Sequence, residues 1–383
     1  MKAKIHLIAA ARPNFMKIAP LYHALVGESW AQTELVHTGQ HYDANMSDAF
    51  FQDLGLPTPH IHLGVGSGSH AEQTAAVMVA YEKVLRESQP DMVVVVGDVN
   101  STIACTLAAA KITYDPKRLA EPGRPRLPMN RPIIAHLEAG LRSFDRTMPE
   151  EVNRLATDVL ADLLWTPSPD ADENLRREGA AEDKIVRVGN IMIDSLEMMR
   201  AQIEAEAYFA ELGLSKGGYG VVTLHRPSNV DQPDNLRALC ALLHDIARKT
   251  AIVFPVHPRT RKNLEQAGLL SELRANSAIC LLEPVNYVRF MNLVFNCSFV
   301  LTDSGGVQEE TTYLGVPCFT MRANTERPIT VSQGTNQLCT LQNVKSRIDA
   351  ALDIDGLKAR VPDLWDGKTA GRVVASIKKY LCA

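Results

Sequence analysis

The sequence predicts an α/β fold built from two doubly wound parallel sheets. Short runs of β-branched and other apolar residues alternate with longer helical patterns almost throughout, and the alternation restarts in the second half of the chain. The length, 383 residues, agrees with two domains of about 100–200 residues each.

The elements follow in order. Residues 5–10 are the first strand and Arg12-Pro13-Asn14 a loop; Phe15, Ile18, Ala19, Tyr22 and Leu25 then share one face of a helix. Further strands are expected at 35–38, 92–96 and 133–135, with helices at 70–87, 101–112 and 150–163. Met92-Val93-Val94-Val95-Val96 is apolar at every position, as in a strand covered by helices on both faces. In the second half, strands are expected at 221–224, 252–256, 279–282, 299–302 and 318–320, with helices at 235–249 and 287–296. The divide falls between the Val188-Gly189-Asn190 turn and a helix ending near Leu212. Residues 114–131 hold five prolines or glycines and several basic residues, and read as a surface insertion.

Composition narrows the function. Hydrophobic residues make up 46%, charged residues 22%, and the net charge is −4, which argues against a general nucleic-acid binder. No apolar run approaches the roughly 20 residues that cross a bilayer. Lys4 and His6 interrupt the apolar N-terminus, and Arg12 and Lys17 follow where a signal peptide needs small residues. The segment reads as the first strand of a cytoplasmic protein. The seven cysteines are scattered without a CxxC pair, the pattern of small buried residues in a reducing compartment. His37 and His41 fix no metal-ligand geometry, so no metal is expected.

In open α/β sheets, ligands bind at the carboxyl ends of the strands. Polar residues concentrate there: Arg12, Gly39-Gln40-His41, Gly97-Asp98 and His136-Leu137-Glu138 in the first half; His225-Arg226, His257-Pro258-Arg259, Glu283 and Asp303-Ser304-Gly305-Gly306 in the second. Two sheets with such ends facing each other enclose a cleft lined by cations and carboxylates. The segment 303–310 is the clearest phosphate signal. Two glycines allow close backbone approach, and the amides of a helix start can hold a diphosphate; a tight turn with a capping Ser is the other reading. Glu310 lies about one turn further in, where a carboxylate can accept from both ribose hydroxyls. The sequence is not GxGxxG, so a nicotinamide cofactor is unsupported.

Arg12, Lys17, His225, Arg226 and Arg327 are candidate diphosphate partners. Arg12 and Lys17 flank a helix start, where cations oppose the dipole and so suggest an anionic ligand. Asp98, Glu138, Glu150 and Glu151 are candidate proton-transfer groups. Glu150 and Arg154 also have the spacing of a simple i,i+4 brace.

Together these pieces resemble the non-hydrolysing UDP-N-acetylglucosamine 2-epimerases. The matching motifs are Ala11-Arg12-Pro13-Asn14-Phe15-Met16-Lys17, Thr38-Gly39-Gln40-His41, Gly97-Asp98, and His136-Leu137-Glu138-Ala139-Gly140-Leu141-Arg142. Pro149-Glu150-Glu151-Val152-Asn153-Arg154, Val188-Gly189-Asn190, Leu224-His225-Arg226, Pro255-Val256-His257-Pro258, the 303–310 segment and Thr325-Glu326-Arg327-Pro328 follow in the family's order. The chain departs from it at His225-Arg226-Pro227-Ser228-Asn229, where many members read His-Arg-Arg-Glu-Asn.

The resemblance implies two Rossmann-like domains facing a cleft, the glycosyltransferase-B-like fold. A last helix near 371–381 returns to the first domain, so the domains are 1–188 plus 366–383, and 189–365. It implies a cytoplasmic homodimer that interconverts UDP-GlcNAc and UDP-ManNAc without metal or redox cofactor, feeding surface-polysaccharide synthesis. It assigns catalysis to Asp98, Glu138, Glu150 and His225, with Arg154 ordering the acidic side. Substrate binding falls to Arg12, Lys17, Phe290, Ser304, Gly305, Gly306, Glu310 and Arg327, and an activator site in some members to residues matching Gln40, Arg226 and His257. Related epimerases act on UDP-2,3-diacetamido sugars or their uronates. A UDP-sugar glycosyltransferase and a nucleotide-sugar-binding regulatory module are the competing classes.

Overall fold

A parallel strand buried on both faces needs an unbroken apolar run, and its crossover connection supplies the helix that covers it. The computed structural model describes residues 2–39, 51, 54–115, 123–125, 127, 129–353 and 360–382, apart from the side chain of Arg12. Gln40, His41 and much of the 114–131 segment therefore lie outside the described residues. The chain forms two compact units, residues 1–198 with 363–383, and residues 199–362.

The first unit holds a seven-stranded parallel sheet of order β3-β2-β1-β4-β5-β6-β7. Its strands are β1 (Ala3–Ala9), β2 (Ala31–His37), β3 (Ile61–His62), β4 (Met92–Val96), β5 (Ile133–Leu137), β6 (Leu163–Thr166) and β7 (Ile185–Arg187). The order reverses between β1 and β4, which makes the loops after these strands the ligand-binding end. Val93, Val95, Ile134 and Leu164 are fully buried against Val77, Tyr81 and Leu85 of the helix His70–Ser88.

The helix expected over 150–163 ends at Leu160, and β6 begins three residues later. Asp162 makes the break: its carboxylate accepts from Ile134 N at 2.9 Å and from Arg131 at 2.7 and 2.9 Å. Leu163-Leu164-Trp165 then pair with Ala135-His136-Leu137. So short an apolar run, following a helical pattern directly, has no period of its own. The three-residue β7 and the two-residue β3 escape sequence reading for the same reason.

The last helix, Thr369–Leu381, packs on the helix Arg12–Val26. Asp194 caps it by accepting from Thr369 N at 3.0 Å and Ala370 N at 2.7 Å. Asp194 belongs to the helix Ile191–Ala205, which runs through the division between the units at 198/199, ten residues beyond the divide at 188/189 expected from the sequence. In its first half Ser195 Oγ bonds Met16 O; in its second, Ile203 O accepts from Asn292 Nδ2 at 3.0 Å.

The second unit holds a six-stranded parallel sheet of order β10-β9-β8-β11-β12-β13. Its strands are β8 (Tyr219–Thr223), β9 (Ala251–Pro255), β10 (Ile279–Leu282), β11 (Phe299–Thr302), β12 (Cys318–Thr320) and the short β13 (Asn336–Leu338). Val222, Phe254, Leu301, Phe299 and Phe319 fill its core with Leu239 and Leu243. The order reverses between β8 and β11. Among the described residues, no helix is long and apolar enough to cross a membrane.

Candidate active site

In the first unit the ends of β1, β4 and β5 bring four charged side chains together. Asn14, at the start of the helix Arg12–Val26, accepts from Ala11 N at 3.1 Å and donates to Val96 O at 3.1 Å. It thereby fastens that helix to the end of β4. One turn on, the buried Lys17 Nζ bonds Glu138 Oε2. Gly97 has φ +67°, and a Cβ there would stand 3.2 Å from Lys17 Nζ, so this turn needs glycine.

Glu138 follows β5 with φ +74°, a left-handed backbone unusual for a side chain of this kind. It is held there by Glu138 N donating to Trp165 O at 3.1 Å and by Lys17. Its Oε1 is buried with no hydrogen-bond partner among the described residues. A strained, half-satisfied carboxylate is the kind of departure that functional sites retain.

Asp98 Oδ2 accepts from Arg154 Nη2 at 2.6 Å, and Arg154 Nη1 donates to Glu151 Oε2 at 2.8 Å. Glu151 is buried and also accepts from Ser143 N and Phe144 N, both at 2.9 Å. Asn153 donates to Asp98 O at 2.9 Å. Arg154 thus bridges Asp98 and Glu151, and the i,i+4 brace with Glu150 does not form. Glu150 stands exposed at the helix start.

The second unit gathers a different set at the ends of β8, β9, β10 and β11. Asp303 is fully buried and accepts from His225 N, from Arg226 N at 2.9 Å and from Asn229 Nδ2 at 2.9 Å. Burial alone would raise its carboxyl, but these donors and His225 outweigh that and hold it below the usual carboxylate range. His225 Nδ1 lies 3.0 Å from Asp303 Oδ1, which orients the ring and leaves Nε2 without a partner among the described residues. Arg226 Nε donates to Asp303 O at 3.0 Å, and His257 Nδ1 accepts from Arg259 N at 3.2 Å as a helix cap.

Ser304 precedes the helix Gly305–Leu314 and makes no side-chain cap bond, so the first amides of that helix are open to an anion. Arg327 lies against this end: Nε is 2.8 Å from Glu309 Oε2, and a Cβ on Gly305 would stand 3.0 Å from Nη1. Glu310, 3% exposed, accepts from Tyr287 Oη at 2.7 Å through Oε1. Burial pushes the Glu310 carboxyl up to about 7; the Tyr287 bond lowers it and Glu309 adds to the rise. Phe290 is half-buried one turn after Tyr287 on the helix Tyr287–Asn296.

Of the residues singled out from sequence, Asp98, Glu138, Lys17 and Arg154 meet in the first unit, while His225, Arg226 and His257, and Ser304, Gly305, Gly306, Arg327 and Glu310, form neighbouring sets in the second. Sequence reasoning does not single out Tyr287, Asn14 or Asn153 as site residues. Asn14 carries the signal of a polar residue three places into a helix start; Tyr287 carries none.

The chain matches the family profile described as UDP-N-acetylglucosamine 2-epimerase over residues 23–115 and 129–378. It is similar to the UDP-N-acetylglucosamine 2-epimerase of Methanocaldococcus jannaschii, 39% identical over 381 residues that cover 97% of this chain and 98% of the relative. It is also similar to the UDP-2,3-diacetamido-2,3-dideoxy-D-glucuronate 2-epimerase of Pseudomonas aeruginosa, 40% identical over 88% of each chain. The crystal structure of the Methanocaldococcus jannaschii UDP-GlcNAc 2-epimerase in complex with UDP-GlcNAc and UDP superposes with a TM-score of 0.83, 38% identity and coverage of 98% of this chain and 99% of that one. Motif order, sheet topology and near full-length similarity converge: this chain belongs to the UDP-N-acetylglucosamine 2-epimerase family.

Proposed function

We propose that the protein inverts C2 of a UDP-2-acetamido sugar, interconverting UDP-GlcNAc and UDP-ManNAc by loss and re-addition of UDP. The observation that carries this reading is the acidic set of the first unit, above all the unpartnered Glu138 oxygen beside Lys17. Neither sugar transfer to an acceptor nor simple nucleotide binding needs such a group.

The C2 hydrogen is not adjacent to a carbonyl and is inert in the intact substrate. Breaking the C1–O bond sends its electron pair to UDP and leaves an oxocarbenium-like C1, which acidifies C2–H. A carboxylate then takes that proton, giving 2-acetamidoglucal and UDP. Return of a proton to the opposite face of C2 and of UDP to C1 completes the inversion, with no electron gained or lost. Asp98, Glu138 and Glu150 serve proton transfer and stabilise the cation; Lys17 holds Glu138, and Arg154 holds Asp98.

The second unit holds the leaving group. His225 Nε2, the Ser304 hydroxyl, the amides of Gly305 and Gly306, and Arg327 bind the diphosphate, joined by Arg12; Glu310 holds the ribose and Phe290 stacks on uracil. By family likeness the enzyme works as a cytoplasmic homodimer. The Pseudomonas aeruginosa relative favours a second substrate, a 2,3-diacetamido uronate. Incubation with each UDP-sugar, followed by NMR identification of the product, decides between them: conversion of UDP-GlcNAc to UDP-ManNAc is expected, and conversion of neither sugar contradicts the proposal.

Glu310 gives the binding step a pH dependence. Its raised value means that the free protein holds the neutral acid below about pH 7, and a carboxylate accepts ribose hydroxyls more strongly than an acid does. KM for the UDP-sugar is expected to rise as pH falls through 7. In Glu310→Gln, KM is expected to be about tenfold higher, with kcat little changed and the pH dependence of KM flattened. Steady-state kinetics between about pH 6 and 8 checks this.

A further inference from the structure

Behind Gly97-Asp98 lies a buried polar cluster with no role so far. His136, on β5, is fully buried. Its Nε2 is 2.8 Å from Gly97 O and its Nδ1 is 2.6 Å from Asp158 Oδ1. A carbonyl oxygen can only accept. Asp158 also acts as an acceptor, taking Arg142 Nη2 at 2.7 Å and Gly140 N at 3.1 Å on its other oxygen. Burial alone would raise the Asp158 carboxyl, but His136 and Arg142 outweigh it and keep it below the ordinary range. A neutral imidazole has one N–H, so one of these two contacts would set lone pair against lone pair. A ring carrying both protons satisfies both.

The charges agree with that count. Glu178, exposed at the surface, takes Arg142 Nε at 2.8 Å and Nη2 at 2.6 Å, so Asp158 shares Arg142 with it. A doubly protonated ring gives the buried Asp158 a second cation beside the Arg142 that it shares.

We propose that His136 is a cationic positioning residue: doubly protonated against Asp158, it clamps the Gly97 carbonyl and so sets Asp98 for proton transfer at C2. The proposal rests on the role given to Asp98 above. Gly97 N also donates to Leu137 O at 3.2 Å, so both main-chain groups of this left-handed glycine are fastened to β5. Asn153 and Arg154 hold Asp98 from the far side. His136 supplies the near anchor. A misplacement of the reacting group by about 1 Å is enough to cost roughly 100-fold in rate. Apart from Arg12, the nucleotide-binding groups lie in the second unit, so the clamp acts on turnover and not on UDP affinity.

Neutron diffraction from the deuterium-exchanged native enzyme at neutral pH reads the protons directly. Deuterium on both Nδ1 and Nε2 of His136 is expected; deuterium on one nitrogen alone overturns the proposal. In kinetics, His136→Gln removes the charge and leaves an amide able to reach only one of the two acceptors. Its kcat is expected to fall about 30- to 100-fold with UDP affinity within about threefold; an unchanged kcat overturns the proposal. Should this variant not fold, the neutron result on the native enzyme decides. Failure of the epimerase reading itself shows separately, as absence of C2 exchange in the native enzyme whatever the protonation of His136.

Discussion

Asp98→Asn is expected to lower kcat for epimerisation by about a thousandfold, within the range that positioned acid–base groups contribute. That corresponds to roughly 4 kcal/mol in the barrier. The amide keeps the size and the main-chain bonds of Asp98, including its carbonyl's bond from Asn153. What it loses is the ionised oxygen that Arg154 holds at 2.6 Å. Arg154 retains Glu151 at 2.8 Å, so the guanidinium stays paired and the fold survives. UDP affinity, read by calorimetry, is expected to be unchanged, because Asp98 is not among the diphosphate partners. Near-native turnover would remove Asp98 from the chemistry and favour the transferase reading.

The second large effect concerns folding. Gly189 has φ +97°, and a Cβ there would stand 2.2 Å from Leu364 O, a main-chain atom that cannot swing aside. Gly189→Ala therefore combines a left-handed backbone penalty of about 1–3 kcal/mol with a displacement of the segment that leads into the last helix. The total expected loss is about 3–5 kcal/mol, seen by calorimetry as a lower Tm for the first unit. Gly268→Ala is the control. It has φ +71° with nothing within 4 Å, so only the conformational cost, about 1–2 kcal/mol, is expected. Equal losses at both positions would show that the contact with Leu364 contributes nothing.

The sequence made β4 readable because Met92–Val96 is apolar at every step, and made β8 to β12 readable by the same signal repeated between helical patterns. It hid β6, since Leu163-Leu164-Trp165 continues an apolar face and the break depends on Asp162 reaching Arg131 and Ile134 across the sheet. Motif residues at strand ends were visible as types, but their partners were not. Glu150 and Arg154 have helix-brace spacing, yet Arg154 turns to Asp98, 56 residues away. Tyr287 lies 23 residues before the Glu310 that it bonds. No local pattern records such a contact, because it is made by sheet order and not by the period of one helix or strand. His136 shows the same limit: its motif place was legible, but its two acceptors come from the loop after β4 and the helix Pro149–Leu160.

The most direct measurement is proton NMR of UDP-GlcNAc incubated with the enzyme in heavy water. The account requires deuterium at C2 of the UDP-ManNAc formed, entering as the product appears. Product formed with its C2 hydrogen fully retained would contradict it.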